Sequence, residues 1–306
     1  MWLCVKKIKI MRKIEDIKNV LIIGCGTLGL RIGLRFAMDG FNVRLYDLTD
    51  KALTRATTWQ RGILEKIVKK GGHTEGVETV MARITTTTDR EEAVRDIDLV
   101  SESVFEDIGV KKSLYSDFAL LFEEKTIVTT NTSYLLPSMF AEDTGCPERF
   151  CAFHFHDVFT MNVVDVMPHP TTADWVIDLL MQIGKKIHQT PVLIQKENHG
   201  YIFNQMLMAI VGSAMDLRIR DVASIQDIDR SWMGNFKTNL GPFGILDQIG
   251  LDTAWHVSKN AKDAKSQRSL AFLQTYIDEG KLGFKTGEGF YKYPNPEYLN
   301  KDFVNG

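Results

Sequence analysis

The 306-residue sequence has no long apolar run, few cysteines and almost no excess charge. No run reaches the roughly 18 apolar residues that a membrane-spanning helix needs, so we expect no membrane association. The net charge of −2 gives no electrostatic reason to expect nucleic acid as a partner. The four cysteines, Cys4, Cys25, Cys146 and Cys151, include no C-x-x-C pair and do not resemble a disulfide framework, which favours the reducing cytoplasm.

The start of the chain lacks the features of a signal peptide. Residues 1–13 are basic with scattered apolar positions, without the longer apolar core and small-residue cleavage site of a secretory signal. Met11 is an alternative start, so we treat residues 1–17 as an N-terminal extension and assign it no function. The overall composition, 44% hydrophobic and 25% charged, is that of an ordinary globular protein.

What the sequence contains is an alternation of strand and helix patterns that begins with a βαβ unit. The apolar run at residues 19–23 predicts a buried strand, and a helical pattern ending at Gly40 follows a glycine-rich segment. A second strand is predicted at residues 41–46. Further strands are predicted at 97–101, 126–130, 150–156 and 163–166, and helices at 51–70, 110–122 and 173–183. The alternation indicates an α/β fold of the Rossmann type, with a doubly wound, mostly parallel sheet.

After about residue 195 only helical patterns remain. They cover residues 201–217, 225–233, 243–249 and 253–279. We therefore expect an α/β domain at residues 18–194 and an all-α domain at residues 195–306. The 201–217 helix is apolar around most of its circumference, which is typical of a helix buried on all sides, often partly by a second subunit.

The glycine-rich segment has the spacing G-x-G-x-x-G and lies between a predicted strand and a predicted helix. Gly24 permits the tight turn, Gly26 lets the backbone approach a pyrophosphate, and Gly29 allows close packing of helix and strand. Thr27 and Leu28 begin the helix, whose unpaired N–H groups suit phosphate oxygens. The spacing and its context together predict a dinucleotide site in the first domain.

An acidic residue at the end of the second strand indicates which dinucleotide is bound. Asp47 follows Gly29 by about 18 residues, the spacing of the residue that accepts hydrogen bonds from the adenosine ribose. Its charge would repel a 2′-phosphate, and the following Leu48 and Thr49 are not basic. The predicted cofactor is therefore NAD rather than NADP.

Ligands of an open α/β sheet bind beyond the carboxyl ends of its strands. The polar groups at these ends are Glu102, the 131–133 turn, and two histidines, His154 and His156. A neutral imidazole suits proton removal from an alcohol during hydride transfer, and Asp165 on the next strand is its candidate partner. The two histidines share a strand face, so periodicity does not choose between them. They could also form an H-x-H metal pair with Asp165 or His169, but the dinucleotide motif accounts for the site and we expect no metal.

Seven segments, in order, resemble the L-3-hydroxyacyl-CoA dehydrogenase family from Val20 to about Tyr293. They are VLIIGCGTLGLRIGLRFA, LVSESVFEDIGVKKSLY, TNTSYL, FHFHDVFTMNVVDVMPHP, HGYIFNQMLMAIV, GPFGILDQIGLD and KTGEGFYKY. The resemblance implies that His154 is the catalytic base, Asp165 its acidic partner, and Ser133 and Asn204 the residues that contact substrate oxygens. It also implies a second domain that dimerises and closes over the substrate.

The resemblance further implies the residues near the nicotinamide half of the cofactor. Glu106 and Lys111 match positions beside the nicotinamide ribose, and Asn131 belongs to the same cofactor-binding group. A homodimeric enzyme of fatty acid metabolism follows as the expected assembly and role.

The chain departs from the family at the histidine motif. The family's H-F-F-N-P is here H-F-H-D-V, residues 154–158, so that both the asparagine and the proline are missing. The segment between His154 and the acid is one residue shorter, and the acid is aspartate rather than glutamate. We expect the shorter segment to bring the strands closer and offset the shorter side chain of Asp165.

Three functions are compatible with these features. The first is NAD-dependent interconversion of a (3S)-3-hydroxyacyl-CoA and its 3-oxoacyl-CoA, with CoA phosphates near Arg61, Lys66, Lys69 and Lys70, although these residues equally suit a solvated helix face. The second is oxidation of a free 3-hydroxy acid, because VDVMPHPTT resembles the λ-crystallin and L-gulonate 3-dehydrogenase branch. The third is a protein that binds NAD(H) without catalysis, since fold alone does not establish a reaction.

Overall fold

The computed structural model describes residues 12–259 and 262–305. Its strands are β1 Asn19–Ile23, β2 Asn42–Tyr46, β3 Ile84–Thr87, β4 Leu99–Glu102, β5 Ile127–Thr130, β6 Phe150–Phe155, β7 Val163–Met167 and β8 Thr190–Leu193. Its helices are α1 Thr27–Met38, α2 Asp50–Lys69, α3 Val77–Met81, α4 Arg90–Val94, α5 Ile108–Phe118, α6 Asp174–Lys186, α7 Phe203–Ile219, α8 Ile225–Phe236, α9 Pro242–Ile249, α10 Leu251–Ser258 and α11 Ala264–Asp278. No helix within the described ranges is long and apolar enough to cross a membrane.

The strands form one sheet in the order β3-β2-β1-β4-β5-β6-β7-β8. Neighbouring strands are parallel except β6 and β7, which are antiparallel. In β1, Val20 and Ile22 join a core with residues of α1, α2 and α6, whereas Leu21 and Ile23 join a core with residues of α4 and α5. Burial on both faces explains the continuous apolar run, and the predicted doubly wound α/β fold is confirmed.

The sequence prediction missed the two strands at the sheet edges. Strand β3 reads Ile-Thr-Thr-Thr and exposes its two central threonines, so it carries no apolar run. Strand β8 contains Pro191, which lacks a backbone donor and is tolerated at a sheet edge. Edge strands bury little apolar surface, so their sequences need not show the pattern on which strand prediction depends.

The predicted single helix at 253–279 is wrong, because the structure has two helices there. Helix α10 ends at Ser258, and α11 begins at Ala264. The Asp263 side chain accepts a hydrogen bond from the backbone N–H of Ser266 at 2.9 Å, which caps the new helix. The aspartate acts as an N-cap rather than as an interior residue of a longer helix.

The chain divides into two compact units between Tyr201 and Ile202. The sequence boundary after residue 194 lies seven residues earlier, and the difference has a packing cause. Ile194 and Tyr201 are buried against Ala152 and Met167, so the segment after β8 stays with the first unit. The second unit has a separate core that includes Val211, Leu246 and Phe290.

Two expectations about surface and termini change with the structure. Residues 1–11 of the predicted extension lie outside the described residues, as does Cys4, but Ile17 is buried, and Arg12 Nη2 lies 2.7 Å from a carboxylate oxygen of Asp98. Within this chain α7 is not buried on all sides. Val211, Ala214 and Met215 are its buried residues, whereas Met206 is 54% exposed.

Candidate active site

The turn between β1 and α1 requires glycine at two positions. Gly24 has a φ of +93°, and a Cβ there would lie 2.8 Å from the backbone oxygen of Ser103. A Cβ at Gly29 would lie 2.0 Å from the backbone oxygen of Gly24. Side chains are therefore excluded where the turn is tightest and where the helix approaches it.

The remaining glycine of the motif, Gly26, leaves open space in front of the helix. Whether a dinucleotide fits the turn depends on this space. Gly26 is the N-cap of α1 and makes no side-chain capping bond, and a Cβ built there would meet no atom within 4 Å. The first-turn N–H groups, including those of Thr27 and Leu28, have no acceptor inside the helix. Open space, free donors and the positive end of the helix dipole fit a pyrophosphate.

Asp47 is anchored beside this turn by its backbone neighbours. Its Oδ2 accepts from the N–H of Cys25 at 2.8 Å, and its Oδ1 accepts from the N–H of Leu48 at 2.8 Å. Each carboxylate oxygen retains acceptor capacity for a ribose hydroxyl. Burial raises the pKa of the Cys25 thiol to about 12, so the turn carries no thiolate to repel a phosphate.

Glu102, at the carboxyl end of β4, makes all its side-chain hydrogen bonds to neighbouring residues of the fold. Its Oε1 accepts from Lys111 Nζ at 2.6 Å and from the N–H of Val104 at 2.8 Å. Its Oε2 accepts from the hydroxyls of Tyr115 at 2.8 Å and Thr130 at 2.7 Å. The carboxylate has four partners and joins β4, β5 and α5, so it is not free to act on a substrate.

Glu106 shapes the turn that follows β5. Its Oε1 accepts from the hydroxyl of Thr132 and, at 3.0 Å each, from the N–H groups of Ser133 and Tyr134. Lys111 Nζ lies 3.6 Å from the other oxygen of this carboxylate. The turn leaves Ser133 exposed at the carboxyl end of the sheet.

Two further bonds tie this turn to the histidine strand. Asn131 Oδ1 accepts from the N–H of Phe155 at 2.7 Å, and the hydroxyl of Tyr201 donates to the backbone oxygen of Thr132 at 2.8 Å. The Tyr201 ring also stacks on His154, with ring centroids 4.5 Å apart. Tyr201 was not predicted to take part, because an aromatic residue at the start of a predicted helix carries no signal of such a contact.

His154 lies directly opposite Asp165 in the antiparallel pair of β6 and β7. Its Nδ1 is 3.1 Å from Asp165 Oδ2, and His156 Nε2 reaches the same oxygen at 2.9 Å. Both histidines therefore contact one carboxylate, which periodicity alone could not resolve. The direct cross-strand register explains how an aspartate is long enough for the pair.

Burial and hydrogen bonding set the charges of the pair. Burial lowers the pKa of His154 below its ordinary value, against the opposing effect of its bond to Asp165. Burial would raise the pKa of Asp165, but the hydrogen bonds from His154 and His156 outweigh it and the pKa is lowered. A neutral imidazole therefore meets a carboxylate through Nδ1–H, which leaves the lone pair of His154 on Nε2.

Asp157, which stands where the family motif has asparagine, fixes the loop after β6 through two sets of contacts. Its Oδ1 accepts from the N–H groups of Phe159 at 2.7 Å and Thr160 at 3.3 Å, which forms an Asx-type turn. Its Oδ2 pairs with Arg31 of α1, whose guanidinium lies 5.3 Å from the ring centroid of Trp59. The loop after the histidines is thus held to the helix of the glycine turn.

The remaining predicted residues lie outside the group around His154 in the first unit or belong to the second unit. Asn204 lies in the first turn of α7, in the second unit. His169 Nε2 bonds to the backbone oxygen of Pro147 at 2.9 Å and does not join the other histidines. Arg61, one of the basic residues of α2, pairs with Glu78, and Glu78 is itself exposed.

Similarity to known proteins agrees with this geometry. A model described as the NAD-binding domain of 3-hydroxyacyl-CoA dehydrogenase matches residues 19–198, and one for the C-terminal domain of that enzyme matches residues 200–293. A Rossmann-type sheet with this glycine turn and acidic residue is a dinucleotide-binding arrangement, and with these matches the chain is an NAD-dependent oxidoreductase. The chain belongs to the 3-hydroxyacyl-CoA dehydrogenase family.

Three relatives show how far the similarity extends. A probable 3-hydroxyacyl-CoA dehydrogenase of Caenorhabditis elegans is 32% identical over 92% of this chain and 94% of its own length. The mitochondrial hydroxyacyl-coenzyme A dehydrogenase of Homo sapiens is 33% identical over 90% and 91%. A solved diketoreductase, described as acting on dicarbonyl compounds, is 34% identical over 90% and 99%, with a TM-score of 0.85.

Proposed function

We propose that this chain interconverts a (3S)-3-hydroxyacyl-CoA and the corresponding 3-oxoacyl-CoA, with His154 as the general base. The observation that carries the proposal is the buried pair of His154 and Asp165, with Nδ1 and Oδ2 3.1 Å apart at the carboxyl end of the sheet. NAD, when bound, supplies the hydride acceptor at carbon 3. The protein's own task is to remove the hydroxyl proton and hold the reacting carbon in place.

Each side chain of the proposed mechanism acts on a proton or a position. His154 Nε2 takes the hydroxyl proton, and Asp165 holds the ring in the correct tautomer and stabilises the imidazolium that forms. The stacked ring of Tyr201 restricts rotation of the imidazole. Because burial lowers the pKa of His154, the base is deprotonated and ready at neutral pH.

Ser133 and Asn204 would orient the substrate oxygens. Ser133 is exposed on the turn held by Glu106, and Asn204 comes from α7 of the second unit. Positioning of this kind lowers a barrier by about 7–11 kcal/mol in the most favourable intramolecular reactions. Gly24–Gly29, Asp47, Glu106, Lys111 and Asn131 complete the proposed cofactor contacts.

The decisive experiment follows NADH oxidation with acetoacetyl-CoA and, in parallel, with free acetoacetate. We expect turnover of the CoA ester to exceed that of the free acid by orders of magnitude. Equal rates on both would favour an enzyme of free acids. Binding of NADH without turnover of a wider panel of 3-oxo compounds would instead favour a non-catalytic protein.

A second candidate substrate class is a free 3-hydroxy acid or a related dicarbonyl compound. The similarity to a diketoreductase supports it, and so does the pairing of Arg61 with Glu78, which engages one of the residues proposed to meet CoA phosphates. Glu78→Gln separates the two substrate classes. If CoA is the carrier, releasing Arg61 lowers the KM for the CoA ester and leaves the KM for a free acid unchanged.

We further propose a homodimer in the cytoplasm, with a role in fatty acid metabolism. Ile202, Met206 and Leu217, in and beside α7, are 44%, 54% and 37% exposed within this chain, which suits burial by a second copy. The compartment follows from cysteine use and differs from the one in the human relative's name. Sedimentation tests the assembly, since Met206→Glu should yield monomers.

A further inference from the structure

Three side chains at the end of β6 and on β7 converge on one point. His154 and His156 lie two residues apart on one strand face, and Asp165 lies opposite on the neighbouring strand. Among the described residues, these three place one nitrogen or oxygen ligand atom each within 4.8 Å of one another. His154 and Asp165 are each only 2% exposed.

Two of the separations between these atoms are close to those of a tetrahedral zinc site. Zinc binds histidine nitrogen and carboxylate oxygen at about 2.0–2.2 Å, which places neighbouring ligands about 3.4 Å apart. Here His154 Nδ1 and His156 Nε2 lie 3.1 Å and 2.9 Å from Asp165 Oδ2. All three ligand atoms lie within 4.8 Å of one another, so small movements of the side chains would bring them around one ion. Two histidines and one carboxylate, with one position left open, also form a known set of catalytic zinc ligands.

We propose that His154, His156 and Asp165 form a binding site for Zn²⁺, and that an ion bound there switches off His154 as a base. Binding follows from the ligand geometry alone, whereas the loss of activity rests on the proposed function. An ion on Nδ1 forces the remaining ring proton of neutral His154 onto Nε2. The atom that would accept the substrate proton then has no lone pair.

Two further observations support a metal site in this chain. The histidine motif that the chain resembles has phenylalanine at position 156, which has no ligand atom, so the third ligand arises from the substitution. The Glu106 carboxylate also adds to that of Asp165 in its electrostatic effect on His154, although Lys111 lies 3.6 Å from Glu106. A divalent cation would be partly neutralised there.

The binding test uses the full-length chain, metal-free and then titrated with Zn²⁺ by calorimetry and with Co²⁺ by visible absorption. His156→Phe removes one ligand, and His169→Gln is the matched control, because His169 lies outside the cluster and glutamine can replace its bond to Pro147. We expect one tight site in the wild type and in the control. Affinity in His156→Phe should fall by more than the 10–100-fold typical of losing an outer-shell partner. Equal affinity in all three proteins would overturn the site.

The activity test compares each protein with its own rate in chelator. Micromolar Zn²⁺ should inhibit the wild type and His169→Gln, and chelator should restore both, while His156→Phe resists inhibition. Binding without inhibition, or activation by Zn²⁺, would overturn the switch. If no acyl substrate is turned over, the proposed function fails, yet the calorimetric comparison still decides the site. Unchanged NADH binding by His156→Phe shows that the variant is folded.

Discussion

The two units of the chain bury carboxylates with different kinds of partner. In the first unit, Glu102 accepts from the ammonium group of Lys111 as well as from neutral donors, and Asp165 accepts from His154, which can become positive. In the second unit, Asp229 and Asp247 accept from backbone N–H groups and tyrosine hydroxyls. A partner that can become positive lets Asp165 take part in proton transfer, whereas Glu102, Asp229 and Asp247 hold the fold together.

The second unit explains why two of the family-like segments are so distinctive. Asp247 of the GPFGILDQIGLD segment accepts from the N–H groups of Phe290 at 2.8 Å and Tyr291 at 2.9 Å, both in KTGEGFYKY. A Cβ at Gly289 would lie 2.1 Å from Asp247 Oδ1, so the loop passes too close for any side chain. The most recognisable segment of the sequence is therefore architectural.

The pKa values of the buried aspartates also differ between the two units. The pKa of Asp165 is lowered by its histidine partners in spite of burial. Burial raises the pKa of Asp229 to about 6, although two backbone N–H groups and the Tyr291 hydroxyl bond to it. A buried acid keeps its charge more readily beside a group that can become positive than beside neutral donors.

Replacing the proposed base, His154, should have the largest effect on activity. His154→Ala should lower kcat by roughly 10²–10⁴-fold, the range for a lost general base, with NADH affinity near wild type. Steady-state rates and NADH fluorescence titration measure the two quantities. The matched variant His156→Ala is the discriminating control: if it carries that loss and His154→Ala does not, the base is His156.

Asp165→Asn tests the charge that holds the base. An asparagine preserves the size of the side chain but cannot stabilise an imidazolium, so we expect kcat to fall by roughly 10²–10⁴-fold. Wild-type turnover would remove Asp165 from the mechanism. A normal melting temperature distinguishes loss of chemistry from loss of fold.

Glu102→Ala should have the largest effect on stability. It leaves Lys111, which is 1% exposed, with only the Glu106 carboxylate at 3.6 Å, and breaking such a buried pair costs about 3–5 kcal/mol. The hydroxyls of Tyr115 and Thr130 lose their acceptor as well. Urea unfolding measures the change. The double variant Glu102→Ala, Lys111→Met should recover part of the loss, because it removes the unpaired charge, and no recovery would mean that the charge is not the cause.

Asp247→Ala is the counterpart in the second unit. It leaves two buried backbone N–H groups without acceptors, which costs about 1–3 kcal/mol for each group. Hydrogen exchange at Phe290 and Tyr291 should accelerate, while NADH affinity stays unchanged. Weakened NADH binding would show that this acid does more than support the fold.

The sequence could predict features that have a local pattern, but not those that depend on contacts in the folded sheet. The central strands, the glycine turn and Asp47 were predictable, because each has a local pattern with a single physical explanation. The edge strands β3 and β8 were not, since they bury little apolar surface. The convergence of His154 and His156 on one oxygen of Asp165 depends on cross-strand register, which only the folded sheet defines. The contact between Tyr201 and His154 is likewise tertiary.

The dependence of stability on pH tests the raised pKa of Asp229, whose hydrogen-bond donors are neutral. Its folded pKa of about 6 lies above the ordinary value of 3.8, so the folded state holds the proton more tightly than the unfolded state. Stability should therefore fall as pH rises from about 4 through 6, by about 3 kcal/mol for a shift of about two pKa units. Unfolding of Asp229→Asn across this range should lack that fall, and an unchanged slope would assign it to another group.

The smallest expected effect concerns the residue that replaces the family's asparagine. Asp157→Asn keeps an oxygen for the N–H of Phe159 but loses the charge that pairs with Arg31. Because this pair is only partly buried, we expect a loss of about 1 kcal/mol or less, measured as a small fall in melting temperature. Asp157→Ala loses the turn as well and should cost about 1 kcal/mol more. If both variants lose equally, the charge accounts for the whole effect, and the aspartate serves to fasten the histidine loop to α1 rather than to reproduce the asparagine's turn.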